Sequence, residues 1–167
     1  MVKTQTVFFF FPSVAKTAKT YLQPVVLKNV KASSQQKHFA PENTIDDNKT
    51  TAWRSKKPQG MIEYSFDTPK RIAMIEAKSF ETLGAPKKMV IWGSTSKDCK
   101  NRERLLTISD AGYTKPSQTK IWKIPKEKRK KKFSCMVLDI KSTNQNRNAG
   151  LRSVSMLENV NQGKLSL

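Results

Sequence analysis

From Pro24 onward no stretch of this chain carries an apolar stripe at helical spacing over three turns. Its apolar residues come in short runs separated by polar turns, and that restricts the chain to an all-β fold. Met61-Ile62-Glu63-Tyr64-Ser65-Phe66 alternates apolar with polar, as a half-buried strand must, because successive side chains point to opposite faces. The runs Val25–Val30, Arg71–Phe80, Lys88–Ser94, Arg104–Ile108, Thr119–Ile124, Phe133–Ile140 and Leu151–Glu158 continue the series. About eight such strands with turn signals between them predict a β-sandwich or jelly roll.

At 167 residues the chain suits one core with tails: a tail over 1–23, a sandwich over 24–159 and a short C-terminal tail over 160–167. The first segment holds Phe8, Phe9, Phe10 and Phe11 in an apolar run far below the ~20 residues that span a bilayer. It has no acidic residue, and is read as a retained tail whose phenylalanines pack on a partner or on the domain.

Charge is the second constraint. Thirty-two Lys and Arg against 13 Asp and Glu give a net +19, which calls for an anionic partner. Lys outnumbers Arg, and a hydrated point charge favours diffuse electrostatic docking over base-specific reading. The cations cluster: Lys126, Lys128, Arg129, Lys130, Lys131 and Lys132 fall between two strand runs, and Lys97, Lys100, Arg102 and Arg104 between two others. Such clusters repel themselves in the free protein, and an anionic partner relieves that cost.

Catalytic groups are scarce. The chain has one His, no Gly-rich phosphate cradle and no His/Cys ligand cluster, so it reads as a binding protein and not an enzyme. Cys99 and Cys135 lack a His or second Cys at ligand spacing, which argues against metal or nucleophile roles.

The stretch Ala32-Ser33-Ser34, then His38-Phe39-Ala40-Pro41-Glu42-Asn43-Thr44-Ile45-Asp46-Asp47-Asn48-Lys49-Thr50-Thr51-Ala52-Trp53, resembles the opening signature of the discoidin family, the coagulation factor V/VIII C-type domain. That signature is a small-residue turn, then Ala-x-x-x-Ile-Asp-Gly-Asn, then Thr-x-Trp. Ile62–Phe66, Ile72–Ile75, Ala85–Ser94, Phe133–Ile140 and Ser153–Glu158 look like the family's later strands in order. The resemblance implies a galactose-binding-like jelly roll over roughly residues 24–159. Ala85-Pro86-Lys87, Leu105-Leu106 and Gln118-Thr119 also resemble the SUN domain, which shares that fold.

Further expectations follow from the resemblance. Asp47 stands where the family has Gly, at a position where Gly reaches positive φ without steric cost and Asp tolerates it better than most residues. A structural Ca²⁺, which many members hold, would map to Asp46, Thr51 and Glu158; a loop Asp more often caps a turn. No other cofactor is implied. The family's sugar recognition would map to His38, Trp53, Arg54 and Asn146, with Trp53 at a position usually used for packing. Extracellular members bracket the domain with a disulfide. Here both cysteines lie inside it, which favours a reducing compartment and one buried and one exposed thiol, with a Cys99–Cys135 bridge left open.

Charge and resemblance together lead to one expectation: a non-catalytic, monomeric module within a hetero-complex, docking into a large intracellular assembly with an acidic surface such as tubulin. Its basic loops and aromatic tail would make the contacts. The compartment expected is cytoplasmic or cytoskeletal, the cilium included, with the mitochondrion second. The alternatives are a lectin-like, carbohydrate-binding domain and an RNA-associated subunit of a ribonucleoprotein; membrane docking is disfavoured.

Overall fold

A computed structural model describes residues 20–161. There the chain forms ten strands and two one-turn 3-10 helices, with no α-helix among the described residues. The strands are β1 (Thr20–Pro24), β2 (Asn29–Ala32), β3 (Trp53–Arg54), β4 (Gly60–Lys70), β5 (Ile72–Ser79), β6 (Pro86–Ser94), β7 (Glu103–Ile108), β8 (Thr119–Lys123), β9 (Phe133–Thr143) and β10 (Gly150–Asn161). One sheet runs β1-β10-β5-β8 with β3 beside β10, and the other runs β2-β4-β9-β6-β7. All pairs are antiparallel. The all-β jelly-roll sandwich expected from the strand pattern is the observed fold.

Alternation builds the core. Ile62, Tyr64 and Phe66 of β4, Met136, Leu138 and Ile140 of β9, Ile75 and Ala77 of β5, and Leu151, Val154 and Met156 of β10 are buried between the sheets. Each large apolar side chain sequestered this way contributes about 1.5–3 kcal/mol. β9 is buried on both faces, because its outer residues Cys135 and Val137 are covered by Cys99, Met61 and Trp92.

Three departures from the sequence reading have local causes. The Val25–Val30 run is not one strand. β1 ends at Pro24, Val25 donates its backbone N–H to the Met156 carbonyl (2.9 Å), and β2 starts at Asn29. Residues 20–23, which the sequence reading left in the tail, form an edge strand on β10. Tyr21, Leu22 and Gln23 are exposed there, so β1 carries no alternation to read. The two cysteines are not free thiols: Cys99, in the β6–β7 loop, is bridged to Cys135 of β9, with their Cα atoms 5.4 Å apart.

The antiparallel registers give the sandwich two distinct ends. Ser79, Pro86, Thr143, Gly150 and Gly60 mark one end, where the β2–β3, β5–β6, β7–β8 and β9–β10 loops gather. Ser94, Cys135, Lys70 and Ile72 mark the other, which carries the β4–β5, β6–β7 and β8–β9 loops. Phe8–Phe11 lie outside the described residues.

Candidate functional site

The signature residues are spent on holding the β2–β3 loop. Ser33 Oγ accepts the Met61 N–H (3.0 Å) and Ser34 Oγ the Lys56 N–H (3.2 Å), so the small-residue turn ties the loop to the start of β4. Asn43 Nδ2 donates to the Ala52 carbonyl (2.9 Å). Trp53 is wholly buried, and its indole N–H donates to the Ser34 carbonyl (3.0 Å). Trp53 therefore cannot be a sugar platform, which corrects its place in the expected sugar-binding set.

Arg54, one residue on, points the other way. Its guanidinium pairs with Glu81 of the β5–β6 loop at 2.6 Å and lies 5.9 Å from the centroid of the Phe80 ring. Arg152 approaches the same ring, 5.4 Å from its centroid. The register explains why. Leu151 pairs with Ser79 but Ser153 pairs with Lys78, so Arg152 is the extra residue of a β-bulge, and bulges re-aim side chains. Phe39 completes the cluster, its ring 5.6 Å from that of Phe80 and tilted 60°. The Arg152 guanidinium also donates to the Lys49 carbonyl, linking the signature loop to β10.

The loops are packed closely. Gln145 N–H donates to the Leu83 carbonyl (3.2 Å), Asn144 N–H to that of Ala85 (3.1 Å) and Gly150 N–H to that of Gly84 (3.0 Å). A Cβ on Gly84 would lie 2.4 Å from the Asn148 carbonyl oxygen, so only glycine lets the β5–β6 and β9–β10 loops approach this way. Beside Arg152 a pocket of about 200 Å³ is lined by Asp47, Asn48, Lys49, Lys78 and Ser153.

Of the expected sugar-binding set, then, the structure places Arg54 in the cluster. His38 is exposed at φ +67° next to Phe39, and its carbonyl accepts from Asn43 (3.4 Å). Asn146 is exposed at φ +54° at the tip of the β9–β10 loop. Phe39, Phe80, Glu81 and Arg152 were not among the expected site residues. The signal for Phe39 and Phe80 was their position at the ends of the signature and of the β5 run; a bulge at Arg152 leaves no mark in the sequence.

Asp46 and Thr51 are brought together, but as a cap. Asp46 Oδ2 accepts from Thr51 Oγ1 (2.7 Å) and Oδ1 from the Asn48 N–H (2.9 Å). Glu158 is ion-paired with Lys70 at 2.9 Å, toward the other end of the sandwich. No group of three His, Cys, Asp or Glu placed to hold a metal occurs among the described residues. Asp47 sits at φ +55°, as the Gly it replaces would.

The basic loops lie at the opposite end. Glu103 accepts from Lys128 and from Lys131 (2.7 Å), and these two ammonium groups, Lys128 first, hold its carboxyl below the usual range. Arg102 pairs with Glu63 and donates from Nε to the Cys99 carbonyl (2.7 Å); Lys100 pairs with Asp98 at 3.3 Å. Lys97, Arg104, Lys126, Lys130 and Lys132 are exposed, with no ion-pair partner among the described residues.

No protein-family model matches this chain, and no curated protein matches it in sequence. Solved structures share its fold. Chitosan-binding module 1 of a chitosanase/glucanase from Paenibacillus sp. IK-5 superposes with a TM-score of 0.67 at 13% identity, over 80% of this chain and 98% of that one. The family 32 carbohydrate-binding module of Clostridium perfringens NanJ, solved with galactose, gives 0.65 at 11%, over 83% and 100%. Truncated AlyQ, which has family 32 carbohydrate-binding and alginate lyase domains, gives 0.70 at 14% over 84% of this chain; the chain spans only 34% of that protein. The fold is thus the galactose-binding-like jelly roll of discoidin-like domains. The expectation of a module docking into an intracellular assembly is corrected by these neighbours. They are carbohydrate-binding modules, and they favour the lectin-like alternative.

Proposed function

We propose that this protein is a non-catalytic carbohydrate-binding module whose sugar contacts lie at the end of the sandwich holding Arg54, Phe80, Glu81 and Arg152. The observation that carries this reading is the convergence of two guanidinium groups on one aromatic ring, one of them paired with a carboxylate, at loops fixed by backbone hydrogen bonds. A saccharide needs an apolar surface for its C–H faces and planar, charged hydrogen-bonding groups for its hydroxyls. The Nε atoms of Arg54 and Arg152 are buried without a hydrogen-bond partner among the described residues, as is that of Arg71 elsewhere. Buried polar atoms seldom stay unsatisfied, so these two guanidiniums are below their hydrogen-bonding capacity, and a ligand hydroxyl or carboxylate that shifts the groups covering them would gain a donor.

The Cys99–Cys135 bridge supports an oxidising compartment for this module, since disulfides persist there and are reduced in the cytosol. Calorimetric titration against a panel of neutral and acidic oligosaccharides tests the function. Binding is expected to at least one panel member, and Arg54→Ala and Arg152→Ala are each expected to weaken it about tenfold or more, the scale of a lost charge-assisted hydrogen bond. Absence of saccharide binding, or binding indifferent to both substitutions, overturns the reading.

A further inference from the structure

We infer that the opposite end of the sandwich is a second binding surface, one that takes a linear polyanionic polysaccharide, and it does not rest on the sugar site at Phe80. The β6–β7 and β8–β9 loops meet there, and their cations divide into two sets. Lys128 and Lys131 converge on Glu103, and Arg129 donates to the Ile124 carbonyl; these three shape the β8–β9 loop around its 3-10 turn at Lys128–Lys130. Lys97, Arg104, Lys126, Lys130 and Lys132 are left exposed and unpaired among the described residues.

The backbone that carries these cations is anchored at both loops. The disulfide fixes Cys99, two residues from Lys97, to Cys135 of β9, and Phe133, which follows Lys132, is fully buried. Like charges fixed near one another raise the free energy of the unbound protein, and a partner with repeating negative groups relieves it. A flexible tail of lysines would spread apart; this array is held by a disulfide, a buried ring and a shared carboxylate.

The chemistry separates a glycan from a nucleic acid. Residues 124–132, which carry three of the five cations, contain no aromatic side chain, and Phe133 beside them is buried, so the β8–β9 loop itself offers no ring for stacking bases. Four of the five free cations are lysines, point charges suited to sulfate or carboxylate groups and poor at planar base recognition. The disulfide points to the oxidising environment in which such polysaccharides occur.

The experiment measures affinity for heparin, which is sulfated, and for polygalacturonate, which is only carboxylated, across a salt series. It compares Lys126→Glu/Lys130→Glu/Lys132→Glu with Lys37→Glu/Lys56→Glu/Lys57→Glu, a triple of equal charge change at the Phe80 end. The first triple is expected to weaken binding to at least one polyanion roughly tenfold or more and to flatten its salt dependence, while the second changes it much less. Equal loss from both triples would show only diffuse attraction to a +19 protein and overturn the assignment. So would failure to bind either polysaccharide, or tighter binding to single-stranded RNA of matched length.

Discussion

The ring of Phe133 fills the space where a side chain on Gly93 would begin. A Cβ on Gly93 would lie 2.6 Å from the Cδ1 of Phe133, closer than such atoms come in practice. Gly93 is in β6, paired with Met136 of the neighbouring β9, and Phe133 is fully buried at the start of β9, where the β4–β9 register shifts. Gly93→Ala must therefore displace an aromatic ring from a packed core, and a loss of about 1–3 kcal/mol is expected. Urea unfolding checks it. Combining the change with Phe133→Leu should recover part of the loss, since the two residues compete for one volume. A neutral single substitution would mean that the ring does not occupy this space.

Burial of Tyr64 gives a prediction in pH. Its hydroxyl lies 3.0 Å from Thr44 Oγ1, and Thr44 Oγ1 donates its one proton to the Pro41 carbonyl (2.7 Å), so Tyr64 is the donor in their shared bond. Burial pushes the Tyr64 phenol above its ordinary value, and burial pushes Tyr113 up as well. In the unfolded chain both lose their protons near pH 10 while the folded protein keeps them. Stability is then intact below about pH 10 and falls as pH rises above it, because there the native state binds more protons than the unfolded state. Phenolate absorbance should show the two buried tyrosines ionising together with unfolding. Tyr64→Phe should cost about 1 kcal/mol at neutral pH and remove part of the alkaline loss.

Strand order was readable because burial on one face imposes alternation, and Ile62, Tyr64 and Phe66 show it plainly. β1 was not, because Tyr21 and Leu22 are exposed on an edge strand that carries no alternating pattern. Arg54 could be picked out from its place after Trp53. Phe80 and Arg152 become neighbours only through a bulge in the pairing of β10 with β5, which depends on register and not on residue type. The Cys99–Cys135 bridge could be named from sequence but not decided, for a similar reason: the two cysteines are 36 residues apart and meet only once the β6–β7 loop folds over β9.

That bridge should contribute measurably to stability. Closing a loop of 36 residues in the unfolded chain corresponds to about 3–4 kcal/mol in the chain-entropy account. Cys99→Ser/Cys135→Ser, or the native protein under reductant, is expected to melt at lower temperature by an amount consistent with that figure. Cys99 also packs with Val137, so part of the loss from the substitutions will be packing. Comparing the reduced native protein with the double variant separates the two contributions. An unchanged melting temperature under full reduction would show that the cross-link does not constrain the unfolded chain.

Asp47 offers a change in the opposite direction. It holds φ +55° in the signature loop, a backbone conformation that costs most residues with a Cβ roughly 1–2 kcal/mol and glycine almost nothing. Its neighbours fix the turn: Asp46 caps the Asn48 N–H, and Asn48 Oδ1 accepts from the Thr50 N–H (2.9 Å). No ion pair is made by the Asp47 side chain among the described residues, so its removal breaks no such contact. Asp47→Gly relieves the strain but gains unfolded-state entropy, which limits the net stabilisation to about 0.5–1 kcal/mol. Asp47→Val, β-branched at the same φ, is expected to lose more than 1 kcal/mol. A thermal melt that ranks glycine above aspartate above valine supports the left-handed turn. A ranking with valine at or above aspartate would place residue 47 in an extended conformation instead.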